Sequence, residues 1–273
     1  MVKRVVSSVI GLPILILVVN LGGLTLSAAI ALLSLAGMTE LFLAISKKIL
    51  PIHFAAYIAA VFYCLNLQNL TRPYLMVLLS AFLMVVMLLL VIYHERVNVI
   101  DCAVTFFAFY YVAFMLSCVY FVRYNIYGKY FVWMIFIAAW GSDTFAYITG
   151  RLMGRHRLSR SPSPRKTWEG VAGGVAGAGI IGLIYGLIIV RVYGASTFNV
   201  PLFCLITGVV GAVFSQFGDL AASAIKRYAQ IKDFGRIILG HGGVLDRFDS
   251  VLFTAPGVFI VMVVLFNALT IRL

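Results

Sequence analysis

Apolar runs of about 20 residues recur from one end of this chain to the other, from "VVSSVIGLPILILVVN" to "VLFTAPGVFIVMVVLF". At about 1.5 Å per helical residue, each run matches the roughly 30 Å hydrocarbon core of a bilayer. A chain crossing that core must satisfy its backbone amides internally, which favours helices. Only 11% of the 273 residues are charged and 63% are hydrophobic, whereas soluble domains carry about a quarter charged residues. The sequence predicts an all-α, polytopic integral membrane protein with about nine transmembrane helices, near 5–20, 24–45, 52–68, 74–93, 99–121, 130–149, 170–190, 200–220 and 250–270. The basic, then apolar start "MVKRVVSSVIGLPILILVVN" lacks a convincing small-residue cleavage site and reads as a retained first span. The expected organisation is an N-terminal set of transmembrane helices, 1–130, and a C-terminal transmembrane region, 131–273, with polar cytoplasmic loops at 150–169 and 221–249 that hold most of the charge.

Nine spans put the two ends on opposite sides. With the N-terminus in the cytoplasm, 16 of the 21 lysines and arginines lie inside and only Arg72, Arg123, Lys129, Arg191 and Arg272 lie outside. Cytoplasmic loops carry such an excess, so this orientation is expected. The net charge of +12 then reflects topology and attraction to anionic head groups rather than nucleic acid. Cys64, Cys102, Cys118 and Cys204 are scattered without a CxxC, which suits buried small hydrophobes. The segment "GVAGGVAGAG" (170–179) has glycines at small-xxx-small spacing, as close helix packing requires, and lacks the Lys-Ser/Thr of a phosphate loop.

Acids inside apolar spans are expensive and point to function. Asp219 ends the run "LFCLITGVVGAVFSQFG". A helix continued through "DLAASAIKR" places Asp219, Ser223 and Lys226 within about 60° of one face. Asp246 and Asp249 share a face if the last helix starts after Gly242 and Gly243. One acid in a first helical turn is explained by the helix dipole, but two acids beside Arg247, His241 and paired glycines are not. Three carboxylates at span ends suit a hard cation such as Mg²⁺. The neighbouring Lys226, Arg227, Lys232, Arg236 and Arg247 suit a polyphosphate, and the glycines let backbone amides approach it. In the other loop, Arg151, Arg155, Arg157 and Arg160 read as a solvated basic collar. Lys166 in "SPSPRKTWEG" is a candidate phosphate ligand, with Thr167 as a helix start. Asp143, within an apolar span, requires a polar partner.

The stretch "SAIKRYAQIKDFGRIILGHGGVLDRFDS" resembles the signature of the phosphatidate cytidylyltransferases, or CDP-diacylglycerol synthases. Ser223, Lys226, Arg227, Lys232, Asp233, Gly235, His241, Gly242, Gly243, Asp246, Arg247 and Asp249 fill that signature in register; Leu239 stands where the family usually has Pro or a small residue. "SPSPRKTWEG" and "SDTFAY" resemble two further elements of the family, and the resemblance covers about 140–250. It implies an enzyme that joins CTP and phosphatidic acid into CDP-diacylglycerol and pyrophosphate at the membrane. It implies Asp219 and Asp246 as metal ligands, with Asp249 a further one, for Mg²⁺ alone or with a second cation. It implies Lys226, Arg227 and Lys166 on the phosphates, with His241 and Asp249 also in the catalytic set. The expected substrate-binding residues are Ser223, Lys232, Asp233, Gly242, Gly243, Arg247, Arg165, Thr167 and Asp143.

A CTP-dependent polyprenol or phytol kinase is the nearest alternative, since it shares some of this chemistry. A secondary transporter would keep its polar groups near mid-depth in two related halves, and no such repeat is evident. A D-x-x-D-G…A-R pattern, as in CDP-alcohol phosphotransferases, is not found, and "QFGD" is not the G-x-G-D of an intramembrane protease. The glycine-rich span leaves room for a homodimer through transmembrane helices.

Overall fold

The structure, a computed structural model, describes residues 2–46, 49–125, 127–158, 161–164, 166–194, 199–235 and 242–270, the side chains of 2–8, 72 and 266–270 excepted. The described residues form helices joined by turns, with no strand. The helices are α1 (Val2–Leu21), α2 (Gly23–Ile45), α3 (His53–Leu65), α4 (Arg72–Ile92), α5 (Val99–Ala108), α6 (Met115–Tyr124), α7 (Gly128–Phe131), α8 (Trp133–Met153), α9 (Trp168–Tyr193), α10 (Val200–Tyr228) and α11 (Leu245–Thr270). Among the described residues, seven helical segments are long and apolar enough to cross a membrane, while Val9–Leu21 and His53–Leu65 are shorter. This is an all-α polytopic membrane protein. α3 ends early because Asn66 turns its side-chain amide back onto the Phe62 carbonyl, at 2.8 Å. Its 13 residues reach about 20 Å.

The chain divides into two compact units, 1–120 with 229–247 and 121–228 with 248–273. In the first unit α1 and α2 meet at Gly22 and Gly23, whose φ values of 65° and 51° favour glycine. α2 packs on α3, where Thr39 Oγ1 and Tyr57 OH share a hydrogen bond of 2.9 Å. The buried Asp101 caps α5 and also accepts the Leu50 N–H at 2.8 Å, tying the segment before α3 to α5. Between α5 and α6 the helix widens to a π turn, Phe109–Phe114. Beyond it Ser117 Oγ meets Tyr63 OH at 2.7 Å in the core.

In the second unit α9 is wedged between α8 and α10. A side chain at Gly173 or Gly177 would overlap Thr149 or Phe145 of α8, and one at Gly182 or Gly186 would meet the α10 backbone at Cys204 or Pro201. The glycine pattern therefore serves packing within the chain. α10 has 29 residues, about 43 Å, well beyond the hydrocarbon core. It runs on through "DLAASAIKR", so Asp219, Ser223 and Lys226 share a face. All four cysteines are free and buried, as expected.

Candidate active site

The loop from α8 to α9 is a built hairpin in the second unit. Thr167 caps α9 by accepting the Gly170 N–H at 3.1 Å, so it starts that helix as the sequence suggests. Arg157 and Thr167 pair across the hairpin, Leu158 N–H donates to the Lys166 carbonyl at 2.8 Å, and Trp168 N–H donates to that of His156 at 3.0 Å. The His156 ring reaches Glu169 at 2.6 Å and closes the base of the loop. This frame aims Lys166 at α10.

There the Lys166 ammonium lies 2.7 Å from Asp219 Oδ2 and 3.0 Å from Gln216 Oε1. Gln216, nearly fully buried, donates in turn to Ser142 Oγ on α8 at 2.8 Å. Asp143, the neighbour of Ser142, accepts from Ser250 Oγ at 3.1 Å, which supplies the polar partner its place in a span requires. The Ser250 N–H holds Asp249 Oδ1 at 2.7 Å. Asp143, Asp219 and Asp249 lie within electrostatic range of one another, and Lys226 within range of Asp249. Ser223 is half-buried one turn beyond Asp219. Arg227 turns aside, its Nε donating to the Pro162 carbonyl at 3.4 Å. The flank of α10 away from Asp219 carries an apolar groove of about 600 Å³, lined by Phe214, Phe217, Leu220, Ala221 and Ala224 together with Leu158, Pro162 and Phe253.

Other signature residues belong to the first unit. Asp246 Oδ2 accepts the N–H groups of Phe234 (2.8 Å) and Gly243 (3.0 Å), which draws two arms of the loop before α11 together. Gly242 adopts φ 85°, a conformation that favours glycine. Gly243 is buried, whereas Lys232, Asp233 and Arg247 are exposed. Arg165 and His241, with Arg160, Arg236 and Leu239, lie outside the described residues.

Of the predicted residues, the second unit brings Asp143, Lys166, Thr167, Asp219, Ser223, Lys226, Arg227 and Asp249 onto neighbouring elements. Gln216, Ser142 and Ser250, the polar residues that connect these charges, and Glu40 in α2 are not among the residues that the sequence motifs single out. Glu40 is the one acid inside its span, and an acid in an apolar span marks itself, like Asp143, by its need for a polar partner. As to a metal, no three His, Cys, Asp or Glu side chains among the described residues are gathered as one ligand set. Mg²⁺ needs less: it binds through one or two carboxylates, with phosphates and waters completing its shell. The half-buried Asp219 and Asp249 offer that kind of donor.

The sequence matches the profile of the cytidylyltransferase family over residues 2–265. A phosphatidate cytidylyltransferase of Staphylococcus saprophyticus is 42% identical over 130 residues, 47% of this chain and 47% of its own. Those of Staphylococcus haemolyticus and Staphylococcus epidermidis are 32% and 33% identical over 256 and 257 residues, in each case 93% of this chain and 95% of the relative. With agreement along nearly its whole length, the chain belongs to the cytidylyltransferase family and is a membrane nucleotidyltransferase.

Proposed function

We infer that the protein is a CTP:phosphatidate cytidylyltransferase. The observation that carries this reading is the near full-length similarity to proteins of that name, joined to a cluster of acids and cations carried by α8, α10 and α11. A phosphate monoester is largely ionised near neutral pH, so its oxygen attacks the α-phosphorus of CTP without a protein base. The new P–O bond forms as the bond to the β-phosphate breaks, and pyrophosphate leaves with that electron pair. The obstacle is the meeting of two anions.

Lys166, Lys226 and Arg227 offset that charge and orient the phosphates, while the backbone bond from Leu158 and the Gln216 side chain hold Lys166 in place. Asp219 and Asp249 are the proposed Mg²⁺ ligands in the second unit, the resemblance adding Asp246; bound there, the ion would neutralise triphosphate oxygens. The apolar groove on α10, with Arg227 reaching its lining residue Pro162, suits an acyl chain. The distribution of lysine and arginine supports a site on the cytoplasmic side of a bacterial membrane. The proposal extends to a homodimer through transmembrane helices, for which α4 is the least covered of the seven spans, with 11% of its apolar window buried.

Purified protein in mixed micelles, given CTP labelled at the α-phosphate, phosphatidic acid and Mg²⁺, is expected to put the label into lipid and release pyrophosphate. Label remaining in soluble CDP while the γ-phosphate enters a lipid alcohol would mark a kinase and overturn the reading.

A further inference from the structure

Glu40 sits five residues before the end of an apolar helix, α2, with only 2% of its surface exposed. Its two carboxylate oxygens are divided between two backbone donors: Oε1 accepts the Val244 N–H at 2.8 Å and Oε2 accepts that of Leu245 at 2.9 Å. These are among the N–H groups that the first turn of a helix leaves without an intrahelical partner. One turn earlier on the same face, Gly37 lets the Leu245 side chain settle against α2; an added Cβ there would stand 3.2 Å from it. Gly235 and Gly243 pack so closely on the carboxylate that a Cβ at either would overlap it. Asp246 grips the other side of the same loop through Phe234 and Gly243. An apolar residue at 40 would cover the same area with a smaller desolvation cost, but it cannot accept two N–H groups.

We propose that Glu40 is a positioning residue for nucleotide binding: from α2 it fixes residues 243–245, and through them the backbone at Gly242–Gly243 and the carboxylate of Asp246. The proposal rests on the cytidylyltransferase reading, in which that loop shapes the CTP pocket. It places a determinant of CTP affinity in the N-terminal half of the chain, more than 200 residues from the Val244 and Leu245 amides that it holds.

Glu40→Gln and Glu40→Ala, each in the full-length protein, test it. The glutamine keeps one acceptor but turns an NH₂ donor towards an N–H donor; being neutral, it does not hinder insertion. Losing a hydrogen bond to a charged acceptor leads us to expect KM for CTP to rise roughly tenfold in the glutamine variant and further in the alanine variant. KM for phosphatidic acid is expected to stay within about twofold, because the change reaches only the nucleotide loop. Equilibrium dialysis with labelled CTP reads the same loop without turnover. A parent protein that binds CTP but makes no CDP-diacylglycerol would sink the activity reading, and the ratio of CTP Kd values would still judge Glu40. Unchanged CTP affinity in both variants, equal losses for the two substrates, failure of both variants to accumulate in the membrane, or no CTP binding by the parent would each overturn the proposal.

Discussion

Lys166 and Asp219 come from segments more than 50 residues apart, yet they form an ion pair of 2.7 Å between a hairpin and the polar end of α10. Both are partly covered, with side-chain exposures of 18% and 31%. Pairs of this kind hold a carboxylate in a fixed place, but they are also sensitive to the loss of either partner. Lys166→Met is expected to cut pyrophosphate release by roughly 100-fold, the scale of removing one transition-state charge contact. Lys166→Arg should retain more activity than Lys166→Met, and an arginine variant no better than methionine would show that charge alone is not what Lys166 provides.

Asp219→Asn and Asp249→Asn keep the shape and remove the charge. Near-complete loss of turnover is expected in each, with membrane insertion retained, and Asp246→Asn is expected to behave likewise. In the parent, EDTA should abolish activity and added Mg²⁺ restore it. Turnover that survives the chelator would overturn the metal assignment.

Gln216 is the buried link between Ser142 and Lys166. Gln216→Leu removes both bonds while filling the space. A roughly tenfold fall in kcat is expected from the freed lysine, with the thermal midpoint in detergent nearly unchanged. A fall in midpoint without a change in kcat would make Gln216 a packing residue only.

Gly177 lies against Phe145, and Gly182 against the Cys204 carbonyl. Valine at either position is expected to destabilise the second unit by about 1–3 kcal/mol through overpacking. Fluorescence-detected size-exclusion after graded heating reads this as a lowered midpoint.

The four native cysteines are buried, so they give little background to a polar thiol reagent. Cysteines introduced at Arg155 and Arg123 should be labelled from opposite sides of sealed vesicles, Arg155 from the cytoplasmic side. Labelling of both from one face would overturn the proposed orientation.

Much of this architecture is legible in the apolar periodicity, because a bilayer forces each long run into a helix. α9 begins at its Thr167 cap, and α11 begins just after Gly242 and Gly243, as the sequence suggests. The signature residues are legible for another reason: phosphate and cation chemistry demands particular side chains at particular spacings. The ties between distant segments are not legible. Nothing near Glu40 announces that its partners are Val244 and Leu245, and nothing near Gln216 announces Ser142. A buried polar residue states that it needs a partner but not where the partner lies. Nor does periodicity show that 229–247 groups with the first 120 residues, since compact units are defined by contacts that cross the sequence.

The wide turn at Phe109–Phe114 has a consequence for how the chain tolerates change in length. Removing one residue there would convert it to an ordinary α turn, which looks like an improvement in local geometry. A π turn spreads one extra residue over nearly the same rotation, so α6 would keep close to its present phase, with Ser117 still facing Tyr63. A one-residue deletion should therefore do far less harm in this stretch than in the regular turns of α5 or α6, where the same loss would turn every later residue by about 100° about the axis.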